Sequence, residues 1–184
     1  MSNETNFESQ RDELIAEITA AFDGLSREGG TTLHEADALD DWKSDEECRA
    51  ARRLDTERRW QDVPDEDIRA CSSALSFLDV QGFRYYLPAF MVYGLRHFED
   101  YLNGILDSCV YHLLHEPQKS LRKSEPASIA SKYYFTDAQC RVIAKFLRFA
   151  AGDDDVTATD MPELQAIEKW ERYVEERSSG GGGI

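Results

Sequence analysis

No apolar run in the 184-residue chain approaches the ~20 residues needed to cross a bilayer. The N-terminus, "MSNETNFESQRDEL", lacks the basic-then-apolar order of a secretory signal, so a soluble, cytoplasmic protein is expected. Cysteine is sparse. Cys48, Cys71, Cys109 and Cys140 are widely separated and form no CxxC pair, which argues for free buried thiols over a disulfide framework. Positive charge is in deficit: 21 Lys and Arg face 36 Asp and Glu, a formal net charge of −15. An acidic surface repels phosphate backbones and anionic lipid, so direct nucleic-acid and membrane binding are excluded. GxSxG, P-loop and strand-linked GxGxxG motifs are missing, and no cofactor is expected. "LHEA" at His34 is not a zinc-protease motif, because no second histidine follows.

What is present is helical periodicity. Apolar residues make up 41% of the chain, enough for a sizeable core. Leu14, Ile15, Ile18, Phe22 and Leu25 predict an amphipathic helix over residues 9–23, ended near Gly24. Residues 31–47 read as a loop with a short helical turn. Ser44 and Glu47 form a capping box that opens the next helix. Pro64 suits a helix start and Asp79 an N-cap. A further helix is expected from about Tyr101 to His115, on apolar periodicity. Thr136 with Gln139, and Asp160 with Glu163, mark the last two helices as capping boxes. The expected fold is all-α: a single compact multi-helix domain of about six to eight helices, one of them kinked or broken at Pro88. Residues 1–8 are expected to be a disordered N-terminus, 9–177 the domain, 117–132 a surface loop, and 178–184 a flexible glycine-rich tail.

Four stretches invite chemical readings. In "FLDVQGFRYYLPAFM", Phe83, Tyr86 and Phe90 recur at helical spacing, which marks a core stripe more than a ligand box. Arg84 and Tyr85 then point away from that stripe, and the tyrosine hydroxyls are expected to serve backbone groups freed by Pro88. "DDDVT" has the DxDxT pattern of haloacid-dehalogenase phosphatases but follows a helix where that chemistry needs a strand. As a calcium loop it lacks the glycine and the bidentate glutamate, since Ala158 and Leu164 stand there. Cys109, His112 and His115 have soft and imidazole donors suited to zinc or copper, with His97 as a possible fourth ligand. Their spacing matches no zinc signature, so the adopted reading is a buried thiol and histidines near a helix C-terminus.

The charge is uneven. Residues 1–67 hold 8 basic and 20 acidic residues, residues 68–150 hold 10 and 7, and residues 151–184 hold 3 and 9. Within the first segment Asp37, Asp40, Asp41, Asp45 and Glu46 surround Trp42. An aromatic among acidic groups is how a partner-binding hot spot is built. The expected partner is a basic protein, steered by charge. Small acidic bacterial proteins of this class include immunity proteins that neutralise basic toxins. The alternative is a small enzyme using His34, Glu35 and Asp37, with or without a metal on the Cys109–His112–His115 row.

The segments "TTLHEADALDDW", "ARRLDTERRWQDVPDEDI", "ALSFLDVQGFRYYLPAFM" and "FTDAQCRVIAKFLRF" occur in this order. Together they resemble an uncharacterised bacterial family, a domain of unknown function, over roughly residues 12–150. The resemblance implies a small, largely helical protein and carries no catalytic residues with it.

Overall fold

A computed structural model of the chain describes residues 2–99, 104–115, 125–152 and 162–179. Nine α-helices and no strand occur among the described residues, so the chain is all-α. The "DDDVT" stretch, the cap at Asp160 and the last five residues lie outside them. Two compact units are distinguished within the chain, residues 22–112, and residues 1–21 with 113–184. Among the described residues no helix is long and apolar enough to cross a membrane.

In residues 22–112, helix α5 (Val80–Arg96) is the core element. Asp79 caps it, its carboxylate accepting from Gly82 N at 2.7 Å. The helix is buried almost all round. Phe83, Tyr85, Tyr86, Leu87, Phe90 and Met91 are each at most 1% exposed. Tyr85 is therefore a core residue and not the outward-facing one that a single apolar stripe predicts. Of the two fates expected at Pro88, a break does not occur, for the helix runs through it. Proline has no N–H, so the Arg84 carbonyl loses its usual donor four residues on.

Against α5 pack α4 (Asp65–Ala70) and two 3-10 turns, Trp60–Asp62 and Ala74–Ser76, while Leu106 of α6 (Ile105–Leu114) meets Gly94; α2 (Leu33–Asp40) lies on α3 (Asp45–Ala51), α4 and the second turn. The Trp60 indole N–H donates to Phe22 O at 2.8 Å, so a buried ring keeps its polar edge satisfied. Gly82 has a steric reason: a Cβ there would stand 2.3 Å from the Thr31 carbonyl oxygen. The loop before α2 lies directly on the first turn of α5.

Helix α2 corrects the expectation of a loop over residues 31–47. The missed signal is Thr32–Leu33–His34–Glu35, a T-x-x-E box whose Glu35 carboxylate accepts from Thr32 N at 3.1 Å. The Ser44–Glu47 box is present as expected, with Glu47 accepting from Ser44 N at 2.9 Å.

The second unit holds α1 (Ser2–Ala21), α7 (Pro126–Lys132), α8 (Asp137–Ala151) and α9 (Pro162–Ser179). Helix α1 begins at Ser2, not at residue 9, and Phe7 stacks on Phe149 with ring centroids 4.9 Å apart. Helix α7 occupies the end of the expected surface loop. Pro126 stands at the start of that helix, where its fixed φ helps and its missing N–H costs nothing. Thr136 and Gln139 cap α8 reciprocally, at 3.0 and 3.2 Å. Gln139 also donates to Ala21 O, closing the last turn of α1. Leu14, Ile18, Ile129, Phe146, Leu147, Ile167 and Trp170 form this unit's core.

Candidate functional site

The candidate partner patch lies where α2 ends and α3 begins. Asp41 is the C-cap of α2, and Trp42 follows in the left-handed region at φ 56°. Trp42 N–H donates to Leu39 O at 3.1 Å and Lys43 N–H donates to Ala38 O at 3.0 Å. Those two bonds define a Schellman motif, whose left-handed position is ordinarily glycine. Here a tryptophan occupies it and is 93% exposed. A left-handed non-glycine residue costs about 1–2 kcal/mol. The chain thus holds a large apolar ring in water on a disfavoured backbone, with no packing inside its own fold to offset either.

The acidic residues around this ring divide by role. Asp41, Asp45 and Glu46 are exposed, and among the described residues their ion pairing is limited to a long 3.5 Å contact from Lys43 to Asp41. Asp40 is half-buried and accepts a 2.6 Å bond from the Ser73 hydroxyl, so it is a structural tie as much as a surface charge. Partial burial, together with Asp41 and Asp40 nearby, holds the Asp37 carboxyl above the usual carboxylate range. A cation brought to this patch would relieve that mutual repulsion.

The residues of the enzyme alternative are drawn into separate structural tasks. Asp55 is 8% exposed, and both its oxygens are committed to His34: Oδ1 lies 2.7 Å from Nδ1 and Oδ2 accepts the backbone N–H at 3.0 Å. It is a carboxylate at the N-terminus of α2, a position favoured by the helix dipole. The His34 imidazole is oriented as in an Asp–His pair, but its Nε2 faces the Asp67 carboxylate at 3.9 Å, not a nucleophile. The Cys71 thiol is pushed up to about 12 by burial and by Asp37, Asp55 and Asp67, which makes it a poor thiolate. Glu35 serves the helix cap and an ion pair with Arg52.

Cys109 and His112 are buried, and His112 Nε2 lies 3.2 Å from the Ser76 hydroxyl. Among the described residues no three His, Cys, Asp or Glu side chains are grouped to hold a metal ion, so His115 and His97 join no ligand set with them. His97 instead lies 3.3 Å from Asp65.

A part-buried polar cluster has no forerunner in the sequence reading. Arg27 donates to Glu57 at 2.7 Å and to the Tyr86 hydroxyl at 2.6 Å, and that hydroxyl donates to Glu57 at 2.6 Å. The guanidinium also stacks over the Tyr85 and Tyr86 rings, at 5.7 and 6.0 Å. Tyr86 therefore serves a carboxylate and an arginine, not backbone freed by Pro88. Its partners lie 29 and 59 residues away, too far for any local pattern to announce them.

No curated protein and no solved structure matches the chain. One family model does, over residues 10–174, so the likeness runs well into α9 and beyond the segments that first suggested it. The chain belongs to this family, DUF6714, a family of unknown function.

Proposed function

We propose that this protein is a non-enzymatic binding module that engages a basic protein partner through Trp42 and the exposed acids beside it. One observation carries the reading: Trp42 is 93% exposed on a left-handed backbone position. Strain of this kind persists where function maintains it. Aromatic anchors contribute most of the energy at protein interfaces. The carboxylates of Asp41, Asp45 and Glu46 would steer a basic surface toward the ring and set its salt dependence. A cationic side chain from the partner can also sit over the indole face. The cytoplasmic location and the immunity-type role belong to this same proposal, the second as an analogy of charge and size.

The test separates anchor from steering. Trp42→Ala should speed dissociation and leave association nearly unchanged: the complex forms but falls apart faster. Neutralising Asp41, Asp45 and Glu46 together should slow association at low salt and matter little at high salt. Asp40 is left intact because of its bond to Ser73. Association and dissociation rates of the partner measured by surface plasmon resonance at several salt concentrations decide the matter. Rates unchanged in both variants sink the proposal.

A further inference from the structure

A second site lies elsewhere in residues 22–112. An open pocket of about 320 Å³ is lined by Arg27, Arg52, Arg58, Glu28, Glu57 and Tyr85, together with Ser26 and Gly29. That volume is at the small end of the ~300–1,000 Å³ typical of ligand pockets. Three arginines and two glutamates line it, a basic excess inside a segment where acidic residues outnumber basic ones 20 to 8. Glu57 is already engaged by Arg27 and Tyr86, and Arg52 by Glu35 and the Gly29 carbonyl. Arg58 is exposed and has no ion-pair partner among the described residues.

Tyr85 supplies the independent sign of a ligand. Its side chain is 1% exposed, it lines the pocket, and its hydroxyl has no hydrogen-bond partner among the described residues. Burial and the nearby Glu57 push that hydroxyl up to about 12, so it remains a donor at neutral pH. The hydroxyl is not sealed in the core, so the pocket is where water or a ligand can pair with it. The Tyr85 hydroxyl and the Arg58 guanidinium line one pocket, and both can donate to a group rich in oxygen lone pairs.

We infer that this pocket binds a small oxyanion, a carboxylate or phosphate group, through the Tyr85 hydroxyl and the Arg58 guanidinium, with the paired Arg27 and Arg52 as part of its wall. This site is separate from the acidic patch and does not depend on it.

The test is an NMR titration of the full-length chain with sodium phosphate and with sodium acetate, against sodium chloride at matched ionic strength. Saturable shifts at residues 26–29 and Arg58 are expected with one or both anions. Response to phosphate alone assigns the phosphate group; response to both extends the site to carboxylates. Tyr85→Phe keeps the buried ring and removes only the donor, and Arg58→Ala changes an exposed side chain, so both variants should fold. Each should weaken Kd by about 10-fold, the effect of one lost hydrogen bond to a charged group. The inference is overturned if neither anion gives a saturable response, or if Tyr85→Phe binds as well as the unaltered chain.

Discussion

Trp42 occupies a backbone position that ordinarily selects glycine, and under the proposed function this sets stability against partner binding within one residue. Trp42→Gly removes the left-handed penalty and should raise the unfolding free energy by about 1 kcal/mol. The same change should abolish partner binding. Urea melts give the first quantity; a variant no more stable than the parent would show that the ring is anchored inside the fold after all. At Tyr86 the sign reverses. Tyr86→Phe leaves Glu57 and Arg27 short of one partner in a part-buried site and should cost about 1–3 kcal/mol in the same melts. The thiols and Tyr85 give a pH dependence. Cys71 and Tyr85 are pushed up to about 12 and Cys140 to about 11, chiefly by burial. In the unfolded chain these groups lose protons first, so the folded state holds more protons and stability falls as pH rises. The decline should begin near the unfolded thiol value of ~8.5 and continue toward pH 11. Urea midpoints flat across that range would contradict it.

Elements were legible where a local code marks their ends. The Ser44–Glu47 and Thr136–Gln139 boxes and the Asp79 cap are each a few residues long, and each appears as its side chains dictate. Helices α2 and α7 differ from the expectation for local reasons too: a Thr32–Glu35 box opens α2, and Pro126, within the expected surface loop, stands at the start of α7. Tyr85 shows a different limit. Periodicity assumes one buried face, and α5 is enclosed nearly all round by elements whose arrangement no local pattern encodes. Two element-level outcomes follow. Thr136→Ala should remove one cap and cost about 1 kcal/mol. Gly82→Ala drives a Cβ against the Thr31 carbonyl, which must shift, at about 1–3 kcal/mol by the usual toll of overpacking. A Gly82→Ala protein as stable as the parent would mean that the residue 30–31 loop does not rest on α5.

At the scale of the whole chain, charge is the dominant property. A net charge of −15 favours basic partners and sets no fold. The exposed ion pairs Lys145–Glu17, Arg148–Glu171 and Lys169–Glu125 link helices but add little in water, each at most ~1 kcal/mol. The acidic patch was legible because its residues are neighbours in sequence. The arginine-lined pocket was not, because Arg27, Arg58 and Tyr85 come together only in the fold. Raised carboxyl affinity for protons at Asp37 adds a pH term to binding: a basic partner should be held less tightly as acidification protonates the patch.

The central claim is that Trp42 and its acidic neighbours bind a basic protein. The most direct measurement is capture from native-host lysate by the parent chain and by Trp42→Ala side by side, at low and high salt, with bound proteins weighed by mass spectrometry. The account predicts one stoichiometric basic protein retained by the parent at low salt, lost as salt rises, and lost with Trp42→Ala. Equal capture by both chains, or capture of nothing basic by either, would contradict it.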